Sequence, residues 1–511
     1  MKIYKILLLV LVSITTACTD LVEEPVGLLS PTGLFNTADD IEVAANGAYA
    51  HAINEEIWGR KLSVALMLRS DMVNLQSTQT RRVEMNNHTI TDDNEMVYDP
   101  WDRIYLGIHA ANVAIAGAES IEESPAVNAA AAQAYFIRAW YYFHLVRLFG
   151  DVPYVDEPIT VENKEFWGSI YSTPEAQVYE NIISDLEYAE QWLPDNVSNR
   201  ARPSKASAKS YLALVYLTRA GTSGMADFQK AYDYAKDVID NKATYGVDLD
   251  PDFQALFNAD RIDGSVEPIF ALDYNNVEAD DNAYDQISPM TGVRSDDDDQ
   301  GWSVAVPTMA VYNSFDIDDY RTRVSFQTEA TINGTTVDYT NFTISGHQHA
   351  ANQPYIAKYS RYPGDYARGN KRATSHNYSM MRYAEVLLIA AEAGVEIGAA
   401  DALDLLNEVR ARARNGGSST NGGYVSEVIP ASTVPEDLTS ITVDDVLEER
   451  RIELAFEAKR WYDIKRRQLG DDVFSASGYE GAKPDWSSSV DYDTPLPQDE
   501  VLANPNIATT N

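Results

Sequence analysis

The chain has 511 residues, more than a single compact core normally holds, and its 45% apolar and 10% aromatic content argues against disorder. A formal charge of −38, from 78 acidic against 40 basic residues, disfavours a nucleic-acid partner, because phosphate binding needs clustered Lys and Arg. The same charge suits solubility at a cell surface.

The N-terminus carries the first signal. Lys2 and Lys5 flank the start of a short apolar run, residues 6–14, which falls well below the roughly 18 residues needed to span a bilayer. Thr15, Thr16 and Ala17 then lead into Cys18, the only cysteine, so disulfides are excluded. This arrangement resembles a bacterial lipobox, with Thr15 where such boxes usually carry Leu. The expectation is a lipoprotein signal peptide over residues 1–17, lipidation at Cys18 and a lipidated tether over 18–34. Each buried acyl CH₂ contributes about 0.8 kcal/mol, so two or three chains make a stable anchor.

Helical periodicity dominates the chain beyond the tether. A helix begins near Asn36 and Thr37, a capping pair with an acidic first turn, and its apolar positions Ile41, Ala44, Ala45, Ala48, Ala52 and Ile53 recur at helical spacing. VYDPWDRIYLGIHAANVAIAGAE and NAAAAQAYFIRAWYYFHLVRLFGDVPYV come next, the second stopped by Gly150 and Pro153. TPEAQVYENIISDLEYAEQWLP, RPSKASAKSYLALVYLTRAG with Ser204 as a cap, and ADFQKAYDYAKDVIDN complete a series of consecutive antiparallel pairs. From about 248 to 378 the pattern becomes sheet-like or irregular and rich in Asp, Asn, Gly and Tyr. Helices resume with SMMRYAEVLLIAAEAGVEIG, DALDLLNEVRARAR and TVDDVLEERRIELAFEAKRWYDIKRRQLG, before a Pro- and Asn-punctuated tail. The expected fold is therefore mainly α, a tetratricopeptide-like helix-hairpin scaffold with a large, loop-rich insertion containing short strands.

Six stretches in order, YFIRAWYYFHLVRLFGDVPYV, RPSKASAKSYLALVYL, RYAEVLLIAAEA, LDLLNEVRARA, LEERRIELAFEAKRWYDIKR and LPQDEVLANPNI, resemble the SusD/RagB family of outer-membrane nutrient-binding lipoproteins. The resemblance implies one SusD-like domain over 35–511. Its scaffold would span about 35–247 and 379–470, a variable ligand-binding region 248–378, and an extended tail 471–511. It also implies a lipid-anchored, cell-surface protein of the outer membrane that binds oligosaccharide or polysaccharide without catalysis. Such a protein passes its cargo to a SusC-like TonB-dependent transporter.

The charged residues of LEERRIELAFEAKRWYDIKR offer opposite charges three or four apart, each pair worth about 0.2 to 0.5 kcal/mol on a helix surface. With Arg138, Arg147, Arg382, Glu385 and Glu392 they read as ion pairs locking neighbouring helices. Trp101, Trp140 and Trp461 read as core. No HExxH, GxSxG or Walker-type loop occurs, and no cofactor is expected. The pair His347 and His349 and the run Asp296 to Asp299 lack the spacing of a metal site, so no metal is expected either.

A sugar ring needs a flat aromatic for its C–H face and amide, acid or basic side chains for its hydroxyl rim. With 31 Tyr against 14 Phe, the chain is rich in the ring that carries a polar tip. Two loop-like stretches supply this mixture. Residues 76–100 hold Arg81, Arg82, Asn86, Asn87 and His88; residues 273–302 hold Tyr274, Asn275, Tyr284 and Trp302. Trp302, beside Gly301, is the foremost stacking candidate, with Trp58 a third location; Trp167 and Trp486 also lie among polar residues. The segment 362–372 could instead meet the transporter or a charged ligand. A neutral glycan, such as a β-glucan, fits the negative charge. The alternatives are a peptide-binding or mainly structural lid, as in the RagB branch, and a helical glycosidase.

Overall fold

A computed structural model describes residues 34–274, 284–293, 301–332, 335–338, 353–364, 374–418, 428–479 and 481–509. The signal peptide, Cys18, Asn275, Asp296 to Asp299, His347 and His349 lie outside them, as do Tyr366, Arg368, Lys371 and Arg372.

Helix α1 (Ala38–Ala52) starts at Thr37, whose hydroxyl accepts from the Asp40 amide while the Asp40 carboxylate accepts from the Thr37 amide at 2.9 Å. This reciprocal cap satisfies two donors that the first turn otherwise leaves unpaired. There follow α2 (Lys61–Leu68), β1 (Asn74–Leu75), α3 (Thr80–Asn87), α4 (Glu95–Glu119) and α5 (Pro125–Phe149). Gly150 ends α5 at φ 74°, a left-side conformation that glycine adopts without steric cost. Next are α6 (Glu175–Trp192), α7 (Lys205–Ser223), capped by Ser204, and α8 (Met225–Asp240). Consecutive helices pack on one another: α4 on α1 and α5, α5 on α6, α6 on α7, and α7 on α8.

The irregular region is tied off at its base. Strand β2 (Pro268–Leu272) pairs antiparallel with β4 (Tyr378–Arg382), so its entry and exit lie side by side. Between them lie the short helix α9 (Ile287–Thr291) and β3 (Ala305–Val306). Helix α10 (Tyr383–Ile397) then packs on α8 and receives α11 (Ala402–Ala413) and α12 (Val443–Glu453), so the stack resumes where the insertion left it. The fold is thus mainly α, a helix-hairpin scaffold with a loop-rich insertion carrying short strands.

Two expectations need correction. The stretch LEERRIELAFEAKRWYDIKR does not run as one helix. It breaks after Glu453 through Phe456 (φ 64°) and Ala458 (φ 57°), then restarts as α13 (Arg460–Arg466). The Glu453 carbonyl, freed by the break, accepts from Arg382 Nη2 at 2.8 Å and Lys358 Nζ at 3.1 Å. Nor are the ion pairs of this stretch superficial. Arg321, Arg382 and Arg412 arrive from three other segments and converge on Glu453, with Glu267, Glu449 and Glu457 around them, all buried. Burial raises the stake of each pair, because losing one partner leaves a charge stranded away from water.

Many of the abundant Tyr are core residues. Tyr141, Tyr142, Tyr355, Tyr378 and Tyr383 are among the largest fully buried side chains. Two of their polar tips find partners inside: Tyr141 donates to the Ala48 carbonyl at 2.6 Å and Tyr142 to that of Val155 at 2.9 Å. Trp101, Trp140 and Trp461 are core. Among the described residues, no helix is long and apolar enough to cross a membrane.

Candidate functional site

The two loop-like stretches flagged in the sequence meet. Strand β1 pairs antiparallel with β3, setting Asn74 opposite Val306 and Leu75 opposite Ala305. One residue further, the Gln76 amide donates to the Val304 carbonyl at 2.9 Å. Trp302 stands two residues before that carbonyl, and its own amide donates to Pro289 in α9 at 2.5 Å. Helix α9 therefore carries Tyr284 just ahead of its start and Trp302 bonded against its middle.

The α1–α2 turn closes the other side. The Gln286 amide donates to the Gly59 carbonyl at 2.7 Å, and Tyr284 Oη donates to Glu55 Oε2 at 2.8 Å. A β-carbon at residue 59 would run into the Tyr284 carbonyl oxygen, so glycine is what lets these backbones touch. Arg60 bridges Glu55 at 2.8 Å and Gln286 at 3.0 Å. Arg81, on α3, pairs with Glu95 and takes Gln79 Oε1 at 2.9 Å. Arg82 turns inward to Met290 Sδ of α9 at 3.6 Å, and burial with Arg81 and Arg60 nearby lowers its pKa to about 10.

The result is a shelf. Trp302 and Tyr284 are half-buried, Arg81 is half-exposed, and Gln76 to Gln79 supply amides and hydroxyls at the edge. Trp302 packs one side on the main core, which fixes the ring without hiding it. Beneath, Asp285 is buried, accepts from the Ile287 amide at 2.9 Å and takes the Thr374 hydroxyl. Desolvation pushes its carboxyl up to about 6.

Four of the sequence candidates do not present themselves to solvent. Trp58 is 2% exposed, edge-on to Trp140 at 6.4 Å and Tyr378 at 5.4 Å, so it belongs to the core. Tyr274 is buried directly after β2. His88 sits in the left-handed region (φ 60°) as the C-cap of α3, its ring enclosed by Trp461, Phe474 and Trp486. Asn86 is buried and accepts Lys483 Nζ through its carbonyl at 2.8 Å. In each case a distant segment supplies the cover, which the local polarity of the sequence does not announce. Trp486 serves in the His88 enclosure and donates to Asp471 Oδ1 at 2.8 Å. Among the described residues, no group of three or more His, Cys, Asp or Glu is placed to hold a metal.

This is a helical-hairpin protein whose insertion and first turns build a ring-bearing shelf. The chain belongs to the SusD family. Residues 266–511 match the SusD family model, and residues 30–217 match one described as starch-binding associating with outer membrane. SusD-like protein P2 of Formosa agariphila is 46% identical over 521 residues, spanning all of this chain and 99% of that protein. A SusD homolog from Bacteroides thetaiotaomicron superposes with a TM-score of 0.77 at 20% identity, covering 93% of this chain and 97% of its own. Surface glycan-binding protein A of the same organism, solved in complex with laminarihexaose, gives 0.71 at 22% identity, covering 92% and 98%.

Proposed function

We propose that the protein is a cell-surface receptor that captures oligosaccharide or polysaccharide on the Trp302 shelf and delivers it, unaltered, to a SusC-like TonB-dependent transporter. Lipid on Cys18 holds it at the outer membrane. The observation that carries this reading is the convergence of Trp302, Tyr284 and Arg81 on one shelf, in a chain 46% identical along its length to a SusD-like protein.

The mechanism is stacking and hydrogen bonding with no covalent step. A fixed, half-exposed indole offers its face to the axial C–H groups of a pyranose, while Tyr284, Arg81 and the Gln76 to Gln79 edge address hydroxyls. Affinity per sugar is modest, and a repeating chain gains grip from several weak contacts while still being released. A neutral glycan, such as a β-glucan, suits a chain with 78 acidic and 40 basic residues. The laminarihexaose held by a structural neighbour supports that class.

Native-gel retardation with a panel of polysaccharides and peptides tests the reading, paired with an assay for new reducing ends. Retardation by a neutral glycan with no new reducing ends is expected. Retardation by peptides alone, or release of reducing ends, would overturn it.

A further inference from the structure

A cavity of about 350 Å³ lies apart from the shelf, between α6, α7, α13 and the chain after residue 487. That volume is at the lower end of small-ligand sites, which run from about 300 Å³. Its walls include Tyr179, Tyr462 and Tyr492, with Thr218, Ser488 and Ser489 contributing hydroxyls.

The charge of this lining runs against the whole chain. Four of its side chains are cationic (Arg147, Arg219, Lys465 and Arg466) and two are acidic (Glu175 and Asp493), in a protein with nearly twice as many acids as bases. Three of the four cations are already neutralised. Arg219 pairs with Asp227 and Glu180, Lys465 with Asp493, and Arg466 with Glu392 and Asp463.

Arg147 is the exception. It is 7% exposed, donates from Nε to the Phe143 carbonyl at 2.9 Å, and approaches His144 Nδ1 at 3.4 Å. Its guanidinium lies over the rings of Tyr462 and Phe143, at 3.6 and 3.7 Å from their centroids. Among the described residues, no carboxylate pairs with it. A buried guanidinium without a counter-ion is costly, and elsewhere in this molecule the buried arginines of the Glu453 cluster each have carboxylates. Held rigid between two rings, Arg147 is preorganised to receive a planar anion in two parallel N–H to oxygen bonds.

We propose that this cavity binds a carboxylate-bearing, hydroxyl-rich ligand, an acidic sugar residue of the uronate class. Arg147 takes the carboxylate, and Tyr and Ser hydroxyls take the rim. Its occupant is distinct from the neutral chain assigned to the shelf, so the protein has two carbohydrate sites of different charge preference.

The test is isothermal titration of the protein with glucuronate and a diuronide, with glucose, acetate and laminarihexaose titrated in parallel. Arg147→Met removes the cation while keeping its stem. Ser489→Trp, at an exposed position of the lining, blocks the space without disturbing the core. Binding of glucuronate or the diuronide, weakened at least tenfold by Ser489→Trp and by Arg147→Met where that variant folds, supports the site. Absence of uronate binding, binding that survives Ser489→Trp, or equal binding of acetate overturns it. Laminarihexaose titration reads the shelf separately, so failure of either site is seen independently of the other.

Discussion

Arg382 and Glu453, 71 residues apart in sequence, meet at 2.6 Å with both side chains fully buried. Arg382 also reaches Glu267 at 2.7 Å and Glu457 at 2.8 Å, which joins the base of the insertion to the end of α12. Replacing Arg382 by Met therefore removes one cationic partner from each of three buried carboxylates and one of the two donors to the Glu453 carbonyl, leaving Arg321, Arg412 and Lys358 to hold them. The expected loss of stability is about 3 to 5 kcal/mol, read by urea denaturation. A loss below about 1 kcal/mol would show that the cluster is not the clasp.

Acid should act on this cluster in a defined direction. Arg412, Arg382 and Arg321 overcome the burial penalty and hold Glu453 far below its ordinary value of 4.5, while Arg450 and Arg466 do the same for Asp463. A lowered folded pKa gives stability that is complete above the unfolded value and drains away as pH falls towards the folded one. Stability from these groups should thus be flat above pH about 5 and decline below it.

Histidines begin the loss earlier. Burial holds the His88 ring neutral, its pKa lowered to about 2 with Arg69 and Lys483 adding repulsion, and His376 is lowered to about 4. Below the unfolded value near 6.5, each takes up a proton only on unfolding, which costs about 1.4 kcal/mol per pH unit per residue. His88→Asn keeps a residue tolerant of the left-handed cap and removes one titration. The slope of stability between pH 6 and 4.5 should flatten by about that amount, whatever the absolute stability of the variant.

Asp285 has the opposite sign. Its folded pKa of about 6 stands above the ordinary 3.8, so the ionised form is disfavoured in the fold and stability falls as pH rises through that interval. Asp285→Asn retains an oxygen for the Ile287 amide and removes the desolvated charge. A gain on the order of 1 to 3 kcal/mol at pH 7, shrinking towards pH 4, is expected from thermal unfolding.

Much of the scaffold was legible because its signals are local. Thr37 and Ser204 cap where their sequences place them, and Gly150 ends its helix. The break after Glu453 was not, since Phe456 and Ala458 are ordinary residues in positive φ, and the partners of the carbonyl it frees, Arg382 and Lys358, come from other segments. The same limit governs the shelf. Aromatic and polar composition puts Trp302 foremost and includes Tyr284 and Arg81, yet it offers Tyr274, Asn86 and His88 beside them and Trp58 as a third location. Their burial depends on cover from distant segments, as Lys483 and Trp486 cover the end of α3. The cavity around Arg147 carried no local mark at all: in sequence, Arg147 is one more helical arginine.

Gly59→Ala probes how the shelf is assembled. The added methyl collides with the Tyr284 carbonyl, so the turn and α9 must separate while the main core stays intact. Glycan affinity should fall several-fold, with a stability loss of only about 1 to 2 kcal/mol by denaturation. Unchanged affinity would detach Tyr284 from the binding surface.

Titration of wild type and Trp302→Ala with a neutral glucan oligosaccharide such as laminarihexaose tests the central claim most directly. Loss of one stacked ring costs about 0.5 to 1.5 kcal/mol beyond buried area, so the variant should bind at least fivefold more weakly while still unfolding cooperatively, at a temperature lowered only by the lost core contact of the ring. Equal binding by the two proteins would contradict the account.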